Sequence, residues 1–231
     1  MPARMSSVLA VDDDVRMLRI MQRTLELEGF KVLKAVSGEA ALEVLAQEQP
    51  DLVLLDLMMP GMDGYEVCRR IREFSMLPVI MVTAKQSDDE KLAGFDAGAD
   101  DYVTKPFSAR ELVARVKAVL RRAAVAGDVQ GAVFTSGALV VDFGGRKVAI
   151  GGEDVNLTAT EYELICYLAG NAGRVLTPDQ ILSRVWGEEY VGEAHLLQVT
   201  MARLREKLGD DPKNPRYIAT RHGIGYMMVK A

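Results

Sequence analysis

The sequence predicts an α/β domain built on a doubly wound, five-stranded parallel sheet, followed by a smaller α+β domain. Residues 7–122 alternate five short β-rich runs with five amphipathic stretches, which is the order of repeated βα units. The run 52–55 is continuously apolar, as expected for a strand buried on both faces of a parallel sheet. After residue 131 the pattern changes to closely spaced strands, then three helices, then two more strands.

The five predicted strands of the first domain are the runs SVLAVD, KVLKAV, DLVLLD, PVIMVT and DYVTK. Amphipathic patterns predict helices over 14–28, 38–48, 64–74, 88–97 and 108–122. Helix starts are marked by Asp14, by Ser37 and by a capping box formed by Ser108 and Glu111. Each strand is therefore followed by a helix, and the helices are expected on both faces of the sheet.

The second domain is preceded by a run of small residues. We interpret this run, 123–131, as a linker between a first domain over 1–122 and a second over 132–231. Short strands with glycine turns are predicted over 132–157. Helices are predicted after Thr158, after Thr177 and over 193–208, and the closing strands RYIAT and GYMMV are joined by RHGI. Strands, three helices and a β-hairpin are the element order of a winged helix-turn-helix domain.

The composition indicates a globular protein of the reducing cytosol. The 231 residues are 49% apolar, and no stretch approaches the roughly 20 apolar residues of a membrane helix or resembles a signal peptide. Cys68 and Cys166 lie in different predicted domains without metal-ligand spacing, so we interpret both as core residues. We therefore expect a cytoplasmic location and no membrane partner.

The charge is unevenly distributed. A net charge of −5 argues by itself against nucleic-acid binding. From residue 195 to the end, however, seven Lys/Arg stand against three acids, so this part carries +4 and the remainder −9. The C-terminal end is thus the part of the chain whose charge fits a nucleic acid.

Polar side chains follow four of the predicted strands at their carboxyl ends, where ligands bind in doubly wound sheets. These residues are Asp12 and Asp13, Asp56, Thr83 and Lys105. Clustered carboxylates repel one another unless protons or a divalent cation neutralise them, and Mg²⁺ suits a few carboxylates plus waters. With the ion bound, Asp56 would act as a nucleophile toward a phosphoryl group. Thr83 would hydrogen-bond a phosphoryl oxygen, and Lys105 would balance the added charge.

Each of these residues has an ordinary structural explanation when taken alone. An aspartate run is commonly a solvated helix start, which is how we interpret Asp14. A single Asp, Thr or Lys at the end of a strand is commonly a turn residue. Their joint placement at four ends of one sheet is what favours a functional site.

The motifs VDDD, LLDLMMPGMDG, MVTAK and GADDYVTKPF resemble those of the CheY-like receiver domains of two-component response regulators. With the winged helix behind, residues 7–228 resemble the OmpR/PhoB subfamily. The resemblance implies phosphorylation of Asp56 by a sensor histidine kinase, with Mg²⁺ held by Asp13, Asp56 and the Met58 carbonyl, and by Asp12 partly through water. It also implies self-phosphorylation from small phosphodonors and slow autodephosphorylation, with no other enzymatic activity.

The resemblance further implies a conformational switch. Thr83 would move toward the phosphoryl group, and Tyr102 would turn inward into the vacated space. Tyr102 taken alone fits an ordinary half-exposed aromatic residue on a strand. The Lys105-Pro106 bond is expected to be cis, as in the family, which aims the lysine inward.

A homodimer on phosphorylation is also implied, through the face of the fourth predicted helix, the fifth strand and the fifth predicted helix. Isolated exposed ion pairs contribute only about 0–1 kcal/mol each. In the family, such pairs nevertheless connect the two subunits across this face. Carried over to this chain, the pairs are Lys91 with Glu111, Asp101 with Arg115, and Asp96 with Arg122.

The third helix of the second domain is the predicted DNA-reading element. Leu197, Met201, Leu204 and Leu208 form one buried stripe at ~100° per residue. We expect DNA contacts from the other side of this helix and from the hairpin tip, since apolar and guanidinium groups suit the major groove. The candidate residues are Val199, Thr200, Arg203, Arg205, Arg221 and His222.

The resemblance implies promoter DNA with tandem half-sites as the partner, and it assigns the loop 187–191 to RNA polymerase, although that loop's charge also fits plain solvation. His195, Ala202 and His222 replace arginines common in the subfamily, and the C-terminal domain looks like that of KdpE-type regulators. Two alternatives stay open. One is a receiver with a protein- or RNA-binding output, and the other is a haloacid-dehalogenase-type phosphatase, which needs a second Asp where this chain has Met58.

Overall fold

The computed structural model describes residues 5–84, 97–124 and 133–230. The chain divides into two compact units, Met1–Leu120 and Arg121–Ala231, each with its own sheet. Within the described residues, every helix is too short or too polar to span a membrane.

The first unit is a parallel sheet covered by helices. Its strands are β1 (Ser7–Val11), β2 (Lys31–Ala35), β3 (Leu52–Asp56), β4 (Val79–Thr83) and β5 (Asp101–Thr104). The helices are α1 (Val15–Leu27), α2 (Gly38–Gln47), α3 (Gly64–Phe74) and α4 (Ala109–Ala124). All strand pairs are parallel, in the order β2-β1-β3-β4-β5. This confirms the predicted five-stranded, doubly wound sheet.

Side chains of the central strands alternate between two cores, one on each face of the sheet. On β3, Val53 and Leu55 pack in the core that contains α2 and α3 residues, including Cys68. Leu52 and Leu54 pack in the other core, with residues of α1 and α4. Because both faces are covered, β3 is a continuous apolar run in the sequence.

Helix starts in the first unit follow the predicted caps. The side chains of Asp14 and Ser37 accept hydrogen bonds from backbone N–H groups in the first turns of α1 and α2. Of the helix predicted over 88–97, all but residue 97 lies outside the described residues. The last helix, α4, extends to Ala124, two residues into the segment interpreted as a linker, and its residues from Arg121 onward belong to the second unit.

The second unit combines a small antiparallel sheet, three helices and a hairpin. The sheet has the order β6 (Val133–Ser136), β7 (Leu139–Asp142), β8 (Lys147–Ile150) and β9 (Glu153–Asp154). The helices are α5 (Ala159–Gly170), α6 (Pro178–Val185) and α7 (Ala194–Leu208), and the hairpin is β10 (Ile218–Arg221) with β11 (Gly225–Met228). This order confirms the predicted winged helix-turn-helix domain.

The hairpin is fastened to the chain segment before α6. Leu176 and Tyr226 exchange two backbone hydrogen bonds of 2.8 and 3.0 Å. The close approach requires glycine at position 225, because a Cβ there would collide with the carbonyl oxygen of Leu176. The start of β11, next to the hairpin turn, is therefore held in a defined position beside the segment that precedes α6.

Candidate functional site

The carboxyl ends of the strands meet at one edge of the first unit's sheet. Asp12 directly follows β1, β3 ends at Asp56, and β4 ends at Thr83. Lys105 follows β5, and its backbone N–H donates to the carbonyl oxygen of Thr83 at 2.6 Å. The parallel register pairs Asp56 with Val82, so Thr83 lies one residue further along the neighbouring strand.

Three carboxylates and one ammonium group occupy the centre of this edge. Asp12, Asp13 and Asp56 each offer a carboxylate oxygen within 4.8 Å of the others. Lys105 Nζ lies 2.8 Å from Oδ2 of Asp12 and 2.9 Å from Oδ1 of Asp56. Asp12 and Asp56 are buried, whereas Asp13 is exposed and marks the side open to solvent. This set of oxygen donors fits a hard divalent cation.

Burial raises the pKa of Asp56 above its ordinary value of 3.8, and the charges of Asp12 and Asp13 raise it further. The hydrogen bond and the charge of Lys105 lower this pKa without cancelling the rise. Burial lowers the pKa of Lys105, but hydrogen bonds to Asp12 and Asp56 outweigh burial, so the pKa ends above 10.5. The lysine is therefore held as an ammonium ion, whereas burial favours the protonated form of Asp56.

Backbone contacts fix the two buried acids. The backbone N–H of Asp14 donates to Oδ1 of Asp12 at 2.9 Å. Helix α3 begins at Gly64, where a Cβ would collide with the carbonyl oxygen of Asp56 and lie 2.9 Å from Leu57 Cα. Glycine thus lets α3 start directly against the end of β3. The Lys105-Pro106 bond is cis, as the resemblance implies.

Met58, Thr83 and Tyr102 have different degrees of burial. The Met58 side chain is exposed in the loop between β3 and α3, and Thr83 is buried. Tyr102 is half-buried on β5 and packs against the core that contains α2 and α3 residues. Cζ of Arg115 lies 5.6 Å from the centroid of the Tyr102 ring, within cation–π range.

Some residues predicted to form the dimer face pair within the chain. Arg115 Nη1 lies 3.2 Å from Oδ1 of Asp101, a fully buried residue, and Arg115 Nη2 lies 3.4 Å from Oε1 of Glu111. Lys91 and Asp96, predicted partners in the other two pairs, lie outside the described residues.

Arg122, predicted to pair with Asp96 across the dimer interface, is buried. It is 3% exposed, and its Nη1 lies 3.4 Å from the carbonyl oxygen of Trp186 within the second unit. This burial argues against the predicted pair of Arg122 with Asp96. The apolar stem and the guanidinium group of Arg122 are packed inside the second unit. The hydrophobic pattern of α4 did not predict this burial.

On α7 the buried stripe is confirmed, but the buried surface is wider than predicted. Leu197, Met201, Leu204 and Leu208 are buried, and so are Val199, Thr200 and Arg205. The predicted placement of Val199 on the outward side, and of Thr200 and Arg205 toward the flanks, is wrong, because α7 packs against α5, α6 and the hairpin together. The exposed line of the helix consists of Ala194, Gln198, Ala202 and Glu206.

Arg203 is half-buried and forms an ion pair with Glu161, which the sequence identified only as part of a helix cap. Glu161 on α5 is fully buried, and Arg203 Nη2 and Lys207 Nζ lie 3.1 and 2.6 Å from its carboxylate oxygens. The backbone N–H and the side chain of Glu161 also form the predicted capping box with Thr158. Arg221 and His222 are exposed at the hairpin, as expected.

Comparisons with known proteins agree with these two units. Residues 8–117 match the family model of the response regulator receiver domain, and residues 152–228 match that of the transcriptional regulatory protein, C terminal. Response regulator DrrB, an OmpR/PhoB homologue of Thermotoga maritima, is 36% identical, with 98% of this chain and 100% of that chain covered and a TM-score of 0.53. A cysteine-to-aspartate mutant of RitR is 27% identical over 98% and 100% of the two chains, with a TM-score of 0.79.

A receiver-domain protein from Methanospirillum hungatei is 31% identical and matches 53% of this chain and 99% of its own, with a TM-score of 0.51. A receiver followed by a C-terminal transcriptional regulatory domain defines a two-component response regulator that acts as a transcription factor. Its partners are a histidine kinase and DNA. The chain belongs to the OmpR/PhoB family of response regulators.

Proposed function

We propose that a sensor histidine kinase donates a phosphoryl group to Asp56, and that residues 1–122 form the receiver and 132–231 the DNA-binding domain. The observation that carries this proposal is the contact of Lys105 Nζ with both Asp12 and Asp56, beside Asp13. A carboxylate nucleophile needs neighbouring positive charge to take up the incoming phosphoryl charge, and the lysine supplies it. A cytoplasmic location is part of this proposal, because the protein must reach both the kinase and promoter DNA.

Mg²⁺ is the proposed ion of this site. The carboxylates of Asp13 and Asp56 and the carbonyl of Met58 would hold it, with Asp12 acting partly through water, and the ion would neutralise the acids and polarise the phosphoryl group. Asp56 attacks phosphorus, the bond from phosphorus to the donor's leaving atom breaks, and the leaving group departs with that electron pair. Lys105 and Thr83 then donate hydrogen bonds to phosphoryl oxygens.

Hydrolysis restores the starting state. A water molecule attacks phosphorus, the bond to Asp56 breaks with its electron pair returning to the carboxylate, and inorganic phosphate leaves. Slow autodephosphorylation and phosphorylation from small donors are the chemistry proposed for the chain, with no further enzymatic activity.

The phosphorylation proposal is tested by incubating the full-length protein with acetyl phosphate and Mg²⁺ and measuring the intact mass. Wild type should gain one phosphoryl group, and Asp56→Asn should gain none. Asp14→Asn is the matched control: Asp14 is exposed and caps α1, a task that Asn performs equally well, so this variant should be phosphorylated. Phosphorylation of Asp56→Asn at the wild-type level would refute the assignment.

Phosphorylation is proposed to shift Thr83 and Tyr102 and to promote a homodimer. The cation–π contact between Arg115 and Tyr102 and the ion pair between Arg115 and Asp101 support this, because movement of the ring would disturb both. The proposed intersubunit pairs are Lys91 with Glu111 and Asp101 with Arg115, whereas the burial of Arg122 argues against its predicted pair with Asp96. Acetyl phosphate should raise the sedimentation coefficient of the wild-type protein at micromolar concentration, but not that of Asp56→Asn. An unchanged sedimentation coefficient of the wild-type protein would refute the proposed dimerisation.

The DNA contacts are proposed to come from the exposed side of α7, and from Arg221 and His222 at the hairpin. Two exposed basic residues beside an accessible helix line that includes Gln198 suit phosphate and groove contacts. The ion pair of Arg203 with buried Glu161 argues against a direct contact by Arg203. The burial of Val199, Thr200 and Arg205 argues against direct contacts by these three.

Tandem half-sites are the proposed DNA target, and the exposed acids of Glu188–Tyr190 are the proposed contact for RNA polymerase. The full-length protein should retard a duplex selected from a random-sequence library, with affinity falling as salt rises. Binding without salt dependence, or no binding at all, would favour a protein- or RNA-binding output instead.

A further inference from the structure

Arg205 joins helix α7 to both strands of the C-terminal hairpin. Its Nη2 donates to the carbonyl oxygen of Ile218 and to the hydroxyl of Thr220, each at 2.8 Å. Its Cζ lies 5.7 Å from the ring centroid of Tyr226, which pairs with Thr220 across the hairpin. One side chain of α7 therefore contacts β10 through hydrogen bonds and β11 through a cation–π interaction.

Asp210 makes a second connection between α7 and the hairpin. It lies two residues beyond the end of α7 and is 5% exposed. Its carboxylate accepts hydrogen bonds from the backbone N–H groups of Arg216, Tyr217 and Ile218 at 2.7, 3.1 and 2.8 Å. Charge-assisted bonds to a buried carboxylate are strong and costly to break. The start of β10 is therefore held at a defined distance from the end of α7.

The burial of Arg205 separates its role from that of an exposed phosphate contact. Only 8% of the residue is exposed, and desolvation lowers the pKa of its guanidinium group, which nevertheless stays charged. Arg221, by contrast, lies exposed at the end of β10. Arg205 therefore faces the protein interior, whereas Arg221 faces solvent.

We propose that Arg205 is a positioning residue for DNA binding, which holds α7 and the hairpin tip at the separation at which both contact one duplex. The proposal rests on the DNA face assigned above. A helix and a hairpin that read the same duplex must keep a fixed relative placement, or one set of contacts is lost when the other forms. Arg205 and Asp210 supply that placement from within the protein, without touching DNA.

The test compares two matched arginines in the full-length protein, with a duplex selected by wild type from a random-sequence library. Arg205→Lys keeps the charge but lacks the guanidinium group, whose Nη2 makes both hydrogen bonds and whose Cζ lies over the Tyr226 ring. We expect it to weaken binding on the order of tenfold, with an unchanged slope of log affinity against log salt. By contrast, Arg221→Gln, at an exposed arginine of the proposed DNA face, should reduce the slope by about one.

Wild-type affinity of Arg205→Lys, or a change in its salt slope of about one, would overturn the proposal. The fluorescence of Trp186, the single tryptophan and fully buried in the same unit, checks that each variant is folded. If Arg205→Lys does not fold, Thr220→Val tests the same contact. Loss of the hydroxyl that accepts the hydrogen bond from Arg205 should weaken DNA binding severalfold. Unchanged DNA binding by Thr220→Val would refute the role of Arg205. An unchanged salt slope for Arg221→Gln would count against the DNA face itself.

Discussion

Lys105 reaches Asp56 across an intervening strand: its Nζ lies 2.9 Å from Oδ1 of Asp56, although β4 separates β3 from β5 in the sheet. The ammonium group therefore connects the ends of two strands that do not pair with each other. It also offsets part of the negative charge that Asp12, Asp13 and Asp56 concentrate at this edge. Removal of the cation and removal of the anion should consequently change stability in opposite directions.

Lys105→Met should lower the free energy of unfolding of the first unit by about 2–3 kcal/mol in the absence of divalent ions. The substitution keeps most of the side-chain volume but leaves the buried carboxylates of Asp12 and Asp56 without their ammonium partner. Urea unfolding with and without Mg²⁺ measures the effect, and added Mg²⁺ should restore part of the loss.

The matched control is Lys117→Met on α4 of the same unit. Lys117 Nζ lies 2.6 Å from Glu28, but both side chains are largely exposed, and such pairs contribute about 0–1 kcal/mol. An equal loss of unfolding free energy in the two variants would contradict the larger contribution predicted for the contacts of Lys105.

Asp56→Asn should stabilise the first unit at neutral pH, on the order of 1 kcal/mol, because it removes a carboxylate whose charge burial disfavours. The folded-state pKa of Asp56 lies above the ordinary 3.8, so its stabilising contribution is complete below 3.8 and is lost as pH rises through the folded-state pKa. The difference between variant and wild type should therefore grow from acidic to neutral pH in Mg²⁺-free urea titrations. A difference that shrinks with rising pH would contradict this sign.

Glu161→Gln should destabilise the second unit by about 2–3 kcal/mol, because Arg203 and Lys207 lose their shared buried partner. Glu163→Gln on the same helix is the control. Burial raises the pKa of Glu163 despite the nearby arginines, so neutralising it should cost nothing or stabilise slightly. Trp186 fluorescence during urea unfolding reports on this unit, and an equal loss in both variants would exclude a specific role of Glu161.

Cys166 should react slowly in the folded protein. Burial raises the pKa of its thiol from 9.0 to about 11, so the thiolate fraction at mildly basic pH falls about a hundredfold. The stabilising contribution of the protonated thiol is complete below pH 9.0 and is lost as pH rises through about 11. Iodoacetamide labelling followed by peptide mass analysis should show alkylation about a hundredfold slower than in urea-unfolded protein, and equal rates would contradict the shift.

The fold and the acidic site were open to prediction because both depend on position along strands. Continuous apolar runs separated by amphipathic stretches leave few arrangements other than a covered parallel sheet, and the polar residue after each run then falls at one edge. Asp12, Asp56 and Lys105 accordingly lie in contact where strand order placed them.

The face of α7 was harder to predict. Helical periodicity identified the stripe of Leu197 and Leu204, but it assumes one buried side. Three neighbours surround α7, so Val199 is buried as well, and only the line through Gln198 and Ala202 is exposed.

The order of residues alone thus predicted the two-domain architecture, the acidic edge of the sheet and the approximate bounds of the elements. These features depend on chain direction and on hydrophobic spacing between neighbouring residues. Packing in three dimensions decided which charged side chains are committed inside the protein. Arg203 with Glu161 and Arg205 with the hairpin join segments far apart in the chain. No local pattern encodes such partners, because the free energy of burying a guanidinium group depends on acceptors that only the folded chain brings near.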